Sequence, residues 1–131
     1  MLKQNTEKVK IAFKNLPLQM HDLAQPAALA ALAADKQEKF WEYHDKLFAE
    51  KKIEQASFDR IAEELGLDLV KFRIDMKSEA LANQLRNDMV EAQQLGITGT
   101  PAVFINGRKL KNRSMKGFQN LIDEEMKKLK P

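Results

Sequence analysis

The stretch that decides the fold is Gly96-Ile97-Thr98-Gly99-Thr100-Pro101-Ala102-Val103-Phe104-Ile105-Asn106-Gly107. It opens with a glycine–proline break and continues as an apolar run, which is typical of a buried strand. Asn106 and Gly107 are the preferred pair for a tight hairpin turn, because both tolerate positive φ. The pattern therefore predicts a buried strand at 102–105 and a returning strand from Arg108 to Leu110.

Upstream of this stretch, the pattern indicates a series of helices. Pro26 opens an alanine-rich segment whose small side chains predict a helix packed closely against other elements. A second helical pattern covers residues 36–49, with Trp41 at the flank of one apolar face. We interpret these aromatic and histidine side chains as core rather than as ligands or a binding site. The face consists of Phe40, His44, Leu47 and Phe48.

Three further helices are indicated by residues that favour helix ends. Ser57 is a candidate N-cap, and Gly66 is a candidate stop for the same helix. Asp68 is expected to cap a short helix. Ser78 is expected to cap a long one that ends at Gly96.

The two ends of the chain complete the pattern. A strand is expected at residues 9–13, where valine, isoleucine and phenylalanine recur at every second position. Ser114 is expected to cap a final amphipathic helix. The order strand, helices, strand, hairpin strand, helix predicts an α/β fold. It forms a single domain over residues 1–131, with a helical insertion at about residues 26–95.

Composition restricts the class of protein. With 44% hydrophobic and 31% charged residues, the chain has the balance of a globular domain. It contains no run of roughly 18 apolar residues, so no membrane insertion is predicted, and no signal peptide follows Met1. A net charge of +3 is too small to indicate nucleic-acid binding. We interpret the basic residues near the hairpin as a solvated loop: Arg108, Lys109, Lys111, Arg113 and Lys116.

The sequence contains no cysteine. This excludes disulfides, thiolate nucleophiles and cysteine-based metal sites within these residues. His21 and His44 do not have a metal-ligand spacing, so neither a metal nor a cofactor is predicted. Glu42 and Asp45 flank the aromatic face, but nothing pairs them as an acid–base couple.

Taken together, these segments resemble a DsbA-like thioredoxin-fold protein, in order and over essentially the whole chain. The stretch 96–107 resembles the family's cis-proline loop and following hairpin. Residues 9–18 resemble the second strand and its exit. His21, the alanine-rich helix and residues 39–48 resemble the start of the inserted helical domain.

One departure accompanies the resemblance. Family members begin with a strand and a helix that opens with Cys-x-x-Cys, whereas this chain starts after both, and residues 1–8 look like the tail of that helix. The resemblance therefore implies that the chain is part of a thiol:disulfide oxidoreductase. As given, the chain is predicted to be redox-inactive with no catalytic residues, because the nucleophile of thiol–disulfide exchange is a thiolate.

The resemblance also implies a site and a setting. It places Thr100 and Pro101 in a loop that binds extended polypeptide substrates, with a cis bond between the two residues. It implies a periplasmic or extracytoplasmic location, where disulfides persist. The absent first strand would lie between the strands at 9–13 and 102–105. Uncovered strand edges pair readily with another chain, so a homodimer formed through these strands is also predicted.

Two other functions remain open at this point. One is a redox-dead thioredoxin-fold module that binds extended peptide by backbone pairing. The other is a relative of the glutathione-using isomerases and transferases of this fold, which carry a serine where others carry cysteine. The residues encoded before Met1 would separate these hypotheses.

Overall fold

We describe the protein from a computed structural model, which covers residues 5, 7, 9–17, 22–97, 102–111 and 113–129. Within these residues the chain forms six helices and two short strands. None of the helices in this part of the chain is long and apolar enough to cross a membrane. In chain order the elements are α1 (Ala24–Asp35), α2 (Phe40–Ala49), α3 (Gln55–Glu64), α4 (Leu69–Met76), α5 (Glu79–Gln94), β1 (Phe104–Ile105), β2 (Arg108–Lys109) and α6 (Met115–Leu129).

The chain divides into two compact units. The helical unit, Lys14–Gly96, contains α1 to α5. The hairpin unit consists of Met1–Phe13 together with Ile97–Pro131, and it contains β1, β2 and α6. The helical unit includes the whole range, 26–95, that the sequence assigns to a helical insertion.

Helix α1 is the centre of the helical unit. It contacts α2, α3, α4 and α5, so it touches every other helix of the unit. The helix begins two residues before Pro26, which the first turn tolerates because the amide at that position has no intrahelical acceptor. Small side chains allow the other helices to approach closely, as the sequence predicts. The buried residues of α1 are Ala28, Ala30, Ala31, Leu32, Ala33 and Ala34.

Large side chains fill the space around α1. Each comes from one of the surrounding helices, and all belong to one continuous apolar cluster. Burial of a large apolar side chain contributes about 1.5–3 kcal/mol relative to leaving it in water, so this cluster is the main source of stability in the helical unit. Its largest fully buried members are Tyr43, Phe58, Phe72, Ile61 and Leu81.

Several predicted helix ends are confirmed. The Asp68 carboxylate accepts a hydrogen bond from the Lys71 amide at 3.1 Å. Ser78 Oγ accepts one from the Leu81 amide at 3.2 Å. Gly66 and Gly96 follow α3 and α5 with φ values of +71° and +72°, which glycine adopts without strain.

Two helix starts differ from the predictions. Helix α3 begins after Glu54, and Ser57 lies inside its first turn, where its Oγ accepts a hydrogen bond from the Glu54 amide at 3.0 Å. Ser57 is therefore the inner half of a capping pair rather than the N-cap. Helix α2 begins at Phe40 rather than at Lys36, because Glu38 has a φ of +61°, which ends the preceding turn.

The predicted strands are mostly wrong in extent or burial. Residues 9–13 form no strand, since the sheet within the described residues consists of β1 and β2 alone. Alternating apolar residues favour a strand only where a neighbour completes the hydrogen-bond ladder. The predicted buried strand at 102–105 is reduced to β1, and 36% of Phe104 is exposed.

Among the described residues of the hairpin unit, α6 supplies two of the three buried large apolar side chains. Leu121 and Ile122 of α6 are buried, as is Leu110 just after β2. The predicted cap is confirmed, because Ser114 Oγ accepts a hydrogen bond from the Gly117 amide at 3.0 Å. At the start of the chain, the Asn5 side-chain amide donates to Gln119 Oε1 at 2.8 Å.

Candidate functional site

The predicted substrate-binding residues, Thr100 and Pro101, lie outside the described residues, and so does the predicted cis bond between them. The structure shows the two ends of their loop. At one end, Gly96 terminates α5 with a positive φ. At the other end, Ala102 and Val103 are half-buried and lead into β1. In chain order, Thr100 and Pro101 therefore lie between α5 and the hairpin.

The turn of the hairpin is built as the sequence predicts, although both of its strands are shorter than predicted. Phe104 pairs with Lys109, and Ile105 pairs with Arg108, in antiparallel register. Asn106 and Gly107 have φ values of 50° and 81°, which is the geometry of a type I′ turn. The Leu110 amide donates to the Val103 carbonyl at 2.7 Å and extends the ladder toward the loop.

One edge of β1 has no strand neighbour among the described residues. Strand β2 occupies one side of β1, and no other described strand adjoins the opposite side. A strand edge presents backbone N–H and C=O groups that an extended polypeptide can pair with. In the sequence, two residues separate Pro101 from the start of β1.

Ion pairs join the hairpin to α6. The Arg108 guanidinium donates to Glu124 at 3.0 Å and to Glu125 at 3.2 Å, and Lys128 lies 2.7 Å from Glu125. Hydrogen bonding from Lys128, with a further contribution from Arg108, lowers the pKa of Glu125 below its ordinary value. The two carboxylates in turn raise the pKa of Arg108, and the hydrogen bond to Glu124 is the larger cause. These ion pairs link β2 to α6.

The basic residues near the hairpin behave largely as predicted. Arg108 forms ion pairs with two glutamates of α6. Lys109, Lys111, Arg113 and Lys116 are exposed around the turn and the start of α6.

Helix α2 carries an aromatic cluster that the sequence assigns to the core, and this assignment is wrong for part of it. Trp41 is 43% exposed and Phe48 is 77% exposed. The His44 ring contacts both, with centroid distances of 5.3 Å to Trp41 and 4.5 Å to Phe48. We call Trp41, His44 and Phe48 the aromatic face of α2.

The core-facing residue of α2 is Tyr43, which the sequence analysis missed. Its ring is fully buried and packs on Phe72 at 5.6 Å, and its hydroxyl donates to the Phe58 carbonyl at 2.9 Å. Burial, with a smaller contribution from Asp59, raises the pKa of Tyr43 above its ordinary value. The sequence did contain a signal for this burial. Tyr43 and Leu47 are four residues apart, so they lie on the same side of the helix and form a second apolar stripe.

The histidines and acids show no catalytic arrangement in the described part of the chain. His44 Nδ1 lies 3.2 Å from Asp45 Oδ1, which orients the ring through its own neighbour. His21 lies outside the described residues. Among the described residues, no three potential ligands are close enough together to hold a metal ion.

A helical block followed by a glycine–proline loop, a hairpin and a closing helix is the arrangement of a thioredoxin-like domain with an inserted helical region. The sequence pattern of the family described as DSBA-like thioredoxin domain matches residues 1–123. The chain therefore belongs to the DSBA-like thioredoxin family, and its fold is the thioredoxin-like fold of that family. The predicted family and fold class are confirmed.

Two relatives illustrate the range of proteins with similar sequence. Probable disulfide bond formation protein D of Bacillus anthracis is 31% identical over 132 residues, which cover 92% of this chain and 59% of that protein. The Na(+)/H(+) antiporter NhaA 3 of Salinispora tropica is 40% identical over 103 residues, which cover 77% of this chain and 16% of the antiporter. The chain thus spans only part of each relative.

A solved structure shows the same architecture. The thioredoxin-like oxidoreductase from Silicibacter pomeroyi DSS-3 superposes with a TM-score of 0.75 at 25% identity. The superposition covers 89% of this chain and 68% of that protein.

Proposed function

We propose that this chain is the polypeptide-binding part of a DsbA-like thiol:disulfide oxidoreductase and that these residues alone do not exchange disulfides. The observation that carries the proposal is the combination of a family match over residues 1–123 with the complete lack of cysteine. Thiol–disulfide exchange requires a thiolate to attack a disulfide sulfur, and no side chain in the chain can supply one.

The proposed substrates are extended polypeptides, bound by the loop of Thr100 and Pro101 and by the edge of β1. The hairpin geometry supports this assignment, because the ladder from Leu110 to Val103 orders the backbone just beyond the loop. Backbone pairing recognises an extended chain without requiring one particular sequence. That property suits an enzyme whose substrates are unfolded proteins.

We place the protein in a periplasmic or other extracytoplasmic compartment. The family match supports this, since disulfide chemistry on polypeptides belongs to oxidising compartments.

A redox-dead peptide-binding module is the second candidate function. The lack of cysteine favours it directly. The two candidates share the same binding site and differ only in whether a dithiol is supplied by residues that precede Met1 in the encoded protein. A serine at that position would instead support the glutathione-using branch of the fold.

A graft experiment tests the first candidate. A family-derived strand and helix with Cys-x-x-Cys is fused in front of Met1, and insulin reduction is measured for the fusion, for the unfused chain and for a control fusion with Ser-x-x-Ser. We expect activity in the Cys-x-x-Cys fusion alone. Activity in the unfused chain would refute the requirement for a thiolate. A folded but inactive Cys-x-x-Cys fusion would favour the redox-dead module.

We also propose that the chain forms a homodimer through strand edges. Exposed apolar side chains support the proposal: Phe104 lies on β1, and Ile11 and Phe13 lie on the 9–13 segment, which forms no strand in the single chain and would become one only on pairing. Light scattering at tens of micromolar chain tests it. A dimer mass is expected, whereas a monomer mass with cooperative unfolding would contradict it.

A further inference from the structure

We infer that the aromatic face of α2, together with Asp45, is a binding site for cationic side chains of an extended polypeptide. The inference rests on the proposed function, because it assigns a second contact and a charge preference to the same class of ligand. It concerns a surface within the helical unit, separate in sequence from the loop of Thr100 and Pro101.

The geometry of α2 divides the helix into two sides. Tyr43 faces the core, where its ring packs on Phe72. Trp41, Asp45 and Phe48 follow each other at intervals of four and three residues, which places them on one side of a helix. Trp41, Asp45 and Phe48 are all exposed, whereas Tyr43 is buried, so this side faces solvent.

The aromatic face is ordered by contacts among its own rings. Besides its contacts with the rings of Trp41 and Phe48, His44 lies 6.0 Å from the Phe40 ring, and Phe40 meets Trp41 edge-on at 5.1 Å. Aromatic pairs at such distances contribute about 0.5–1.5 kcal/mol beyond their buried area. A ligand therefore meets a preformed aromatic surface. Contiguous exposed apolar surface of this kind marks interaction sites in soluble proteins.

The charge on this side of α2 determines which ligands fit. The Asp45 side chain is 78% exposed and lies between Trp41 and Phe48 in the helical order. The other carboxylate of this side, Glu42, is ion-paired with Lys39 at 3.4 Å. The lysine within α2, Lys46, lies on another side of the helix, where it pairs with Glu64 of α3 at 3.0 Å. Asp45, whose Oδ1 lies 3.2 Å from His44 Nδ1, is thus the carboxylate next to these rings that has no lysine or arginine partner among the described ion pairs.

These features together select a cation with an apolar stem. The face of a tryptophan ring attracts ammonium and guanidinium groups more strongly than the other aromatic rings do. The stems of lysine and arginine cover apolar surface while their charged ends remain in water. An arginine or lysine side chain laid across Trp41 and Phe48 would place its charge near Asp45. An acidic segment would meet a carboxylate of like charge.

Tryptophan fluorescence of the full chain tests the inference directly, because Trp41 is the only tryptophan. The probes are two short peptides that differ only in charge, one with phenylalanine between two arginines and one with phenylalanine between two glutamates. We expect a saturable change in fluorescence with the arginine peptide, at least about tenfold tighter binding than with the glutamate peptide, and weaker binding at high salt.

Matched variants locate the binding. Asp45→Asn is expected to weaken binding of the arginine peptide by up to about fivefold, which corresponds to the upper range for an exposed ion pair. Phe48→Ser is expected to weaken the binding of both peptides. Glu63→Gln on α3 and Val70→Ser on α4, both at exposed positions, serve as controls and should leave binding unchanged.

The outcomes separate this site from the proposed substrate loop. Equal affinity for the two peptides, or binding that survives both Asp45→Asn and Phe48→Ser, overturns the inference. Binding that is lost in Pro101→Ala but kept in Phe48→Ser would belong to the loop and would leave the proposed function intact. A fluorescence change that depends on protein concentration alone would identify a second copy of the chain as the occupant and would also overturn the inference.

Discussion

The helical unit and the hairpin unit reach stability by different routes. In the helical unit, four helices surround α1 and bury one continuous apolar cluster. In the hairpin unit, the sheet consists of two strands of two residues each, and most of the buried apolar side chains belong to α6. Helices satisfy their backbone hydrogen bonds internally, whereas strands need a neighbour. The first unit is thus complete in its own residues, and the second depends more on turn geometry and side-chain contacts.

The largest expected effect is in the core of the helical unit. Phe72→Ala removes a fully buried ring that packs on Tyr43, and it should cost about 3–5 kcal/mol in the free energy of unfolding. Urea unfolding followed by circular dichroism measures it. Val70→Ala on the same helix is the control, because Val70 is 67% exposed and its loss should change stability by less than about 0.5 kcal/mol. Equal effects of the two substitutions would contradict the described core.

The next effect is at the turn of the hairpin. Gly107→Ala places a β-carbon at a φ of +81°, where no steric neighbour is met but the backbone itself is strained by about 1–2 kcal/mol. The amide of Leu110, which bonds to Val103, should then exchange its hydrogen faster.

Gly107→Asn is the matched control, since asparagine tolerates positive φ better than alanine does. Amides in α1 should exchange at the same rate in both variants. Faster exchange there, or no change at Leu110, would show that the turn does not limit the stability of the hairpin.

A smaller effect is expected at Tyr43. Tyr43→Phe deletes the hydrogen bond to the Phe58 carbonyl and should cost about 0.5–1.5 kcal/mol at neutral pH. Because burial raises the pKa of Tyr43, the folded chain keeps its proton at pH values where the unfolded chain loses it. The contribution of Tyr43 to the free energy of unfolding is therefore fully present below the ordinary pKa of 10.0 and declines as pH rises above it.

The ultraviolet absorbance of tyrosinate measures this directly, since Tyr43 is the only tyrosine. In the native chain the absorbance should stay flat through pH 10.0 and rise together with unfolding. In urea the same group should titrate near its ordinary value. A rise near pH 10.0 in the folded chain would mean that the ring is accessible to water.

The smallest effect is at the ion pairs between the hairpin and α6. The lowered pKa of Glu125 means that its contacts are complete above the ordinary value of 4.5 and are lost as pH falls below it. Both Lys128→Gln and Arg108→Gln should raise that pKa, and Lys128→Gln should raise it more, because Lys128 is the larger cause. A carboxyl chemical-shift titration by NMR checks the order. The reverse order would show that the hairpin contact dominates.

The sequence predicted helix ends well wherever one residue determines the end. Asp68, Ser78 and Ser114 each cap a helix through a single side-chain oxygen, and the glycines after α3 and α5 adopt positive φ. Ser57 was placed three residues from the actual cap, because both members of a capping pair carry suitable oxygens. The turn before α2 depends on a positive φ at Glu38, and glutamate gives no local signal for it.

Burial and strand pairing were less predictable. The sequence assigned Phe48 to the core and overlooked Tyr43, since α2 has apolar residues on two sides and only its neighbours select one of them. The 9–13 segment has the period of a strand, but a strand also requires a partner, which the period does not specify. For the candidate site, the hairpin turn was predicted fully, whereas the exposure of Trp41 and Phe48 required the positions of the surrounding helices.

The alanines of α1 have a consequence for how this protein can change over evolution. Ala30, Ala33 and Ala34 have no exposed surface, and the helix that carries them touches all four of its neighbours. Any larger residue there must displace a neighbouring helix or be offset by a smaller residue opposite it, because overpacking commonly costs about 1–3 kcal/mol. The alanine-rich helix α1 therefore tolerates fewer substitutions than the helices around it. We expect surviving variants at these three positions to be limited mainly to glycine and serine, unless a second mutation on α2, α4 or α5 restores the volume.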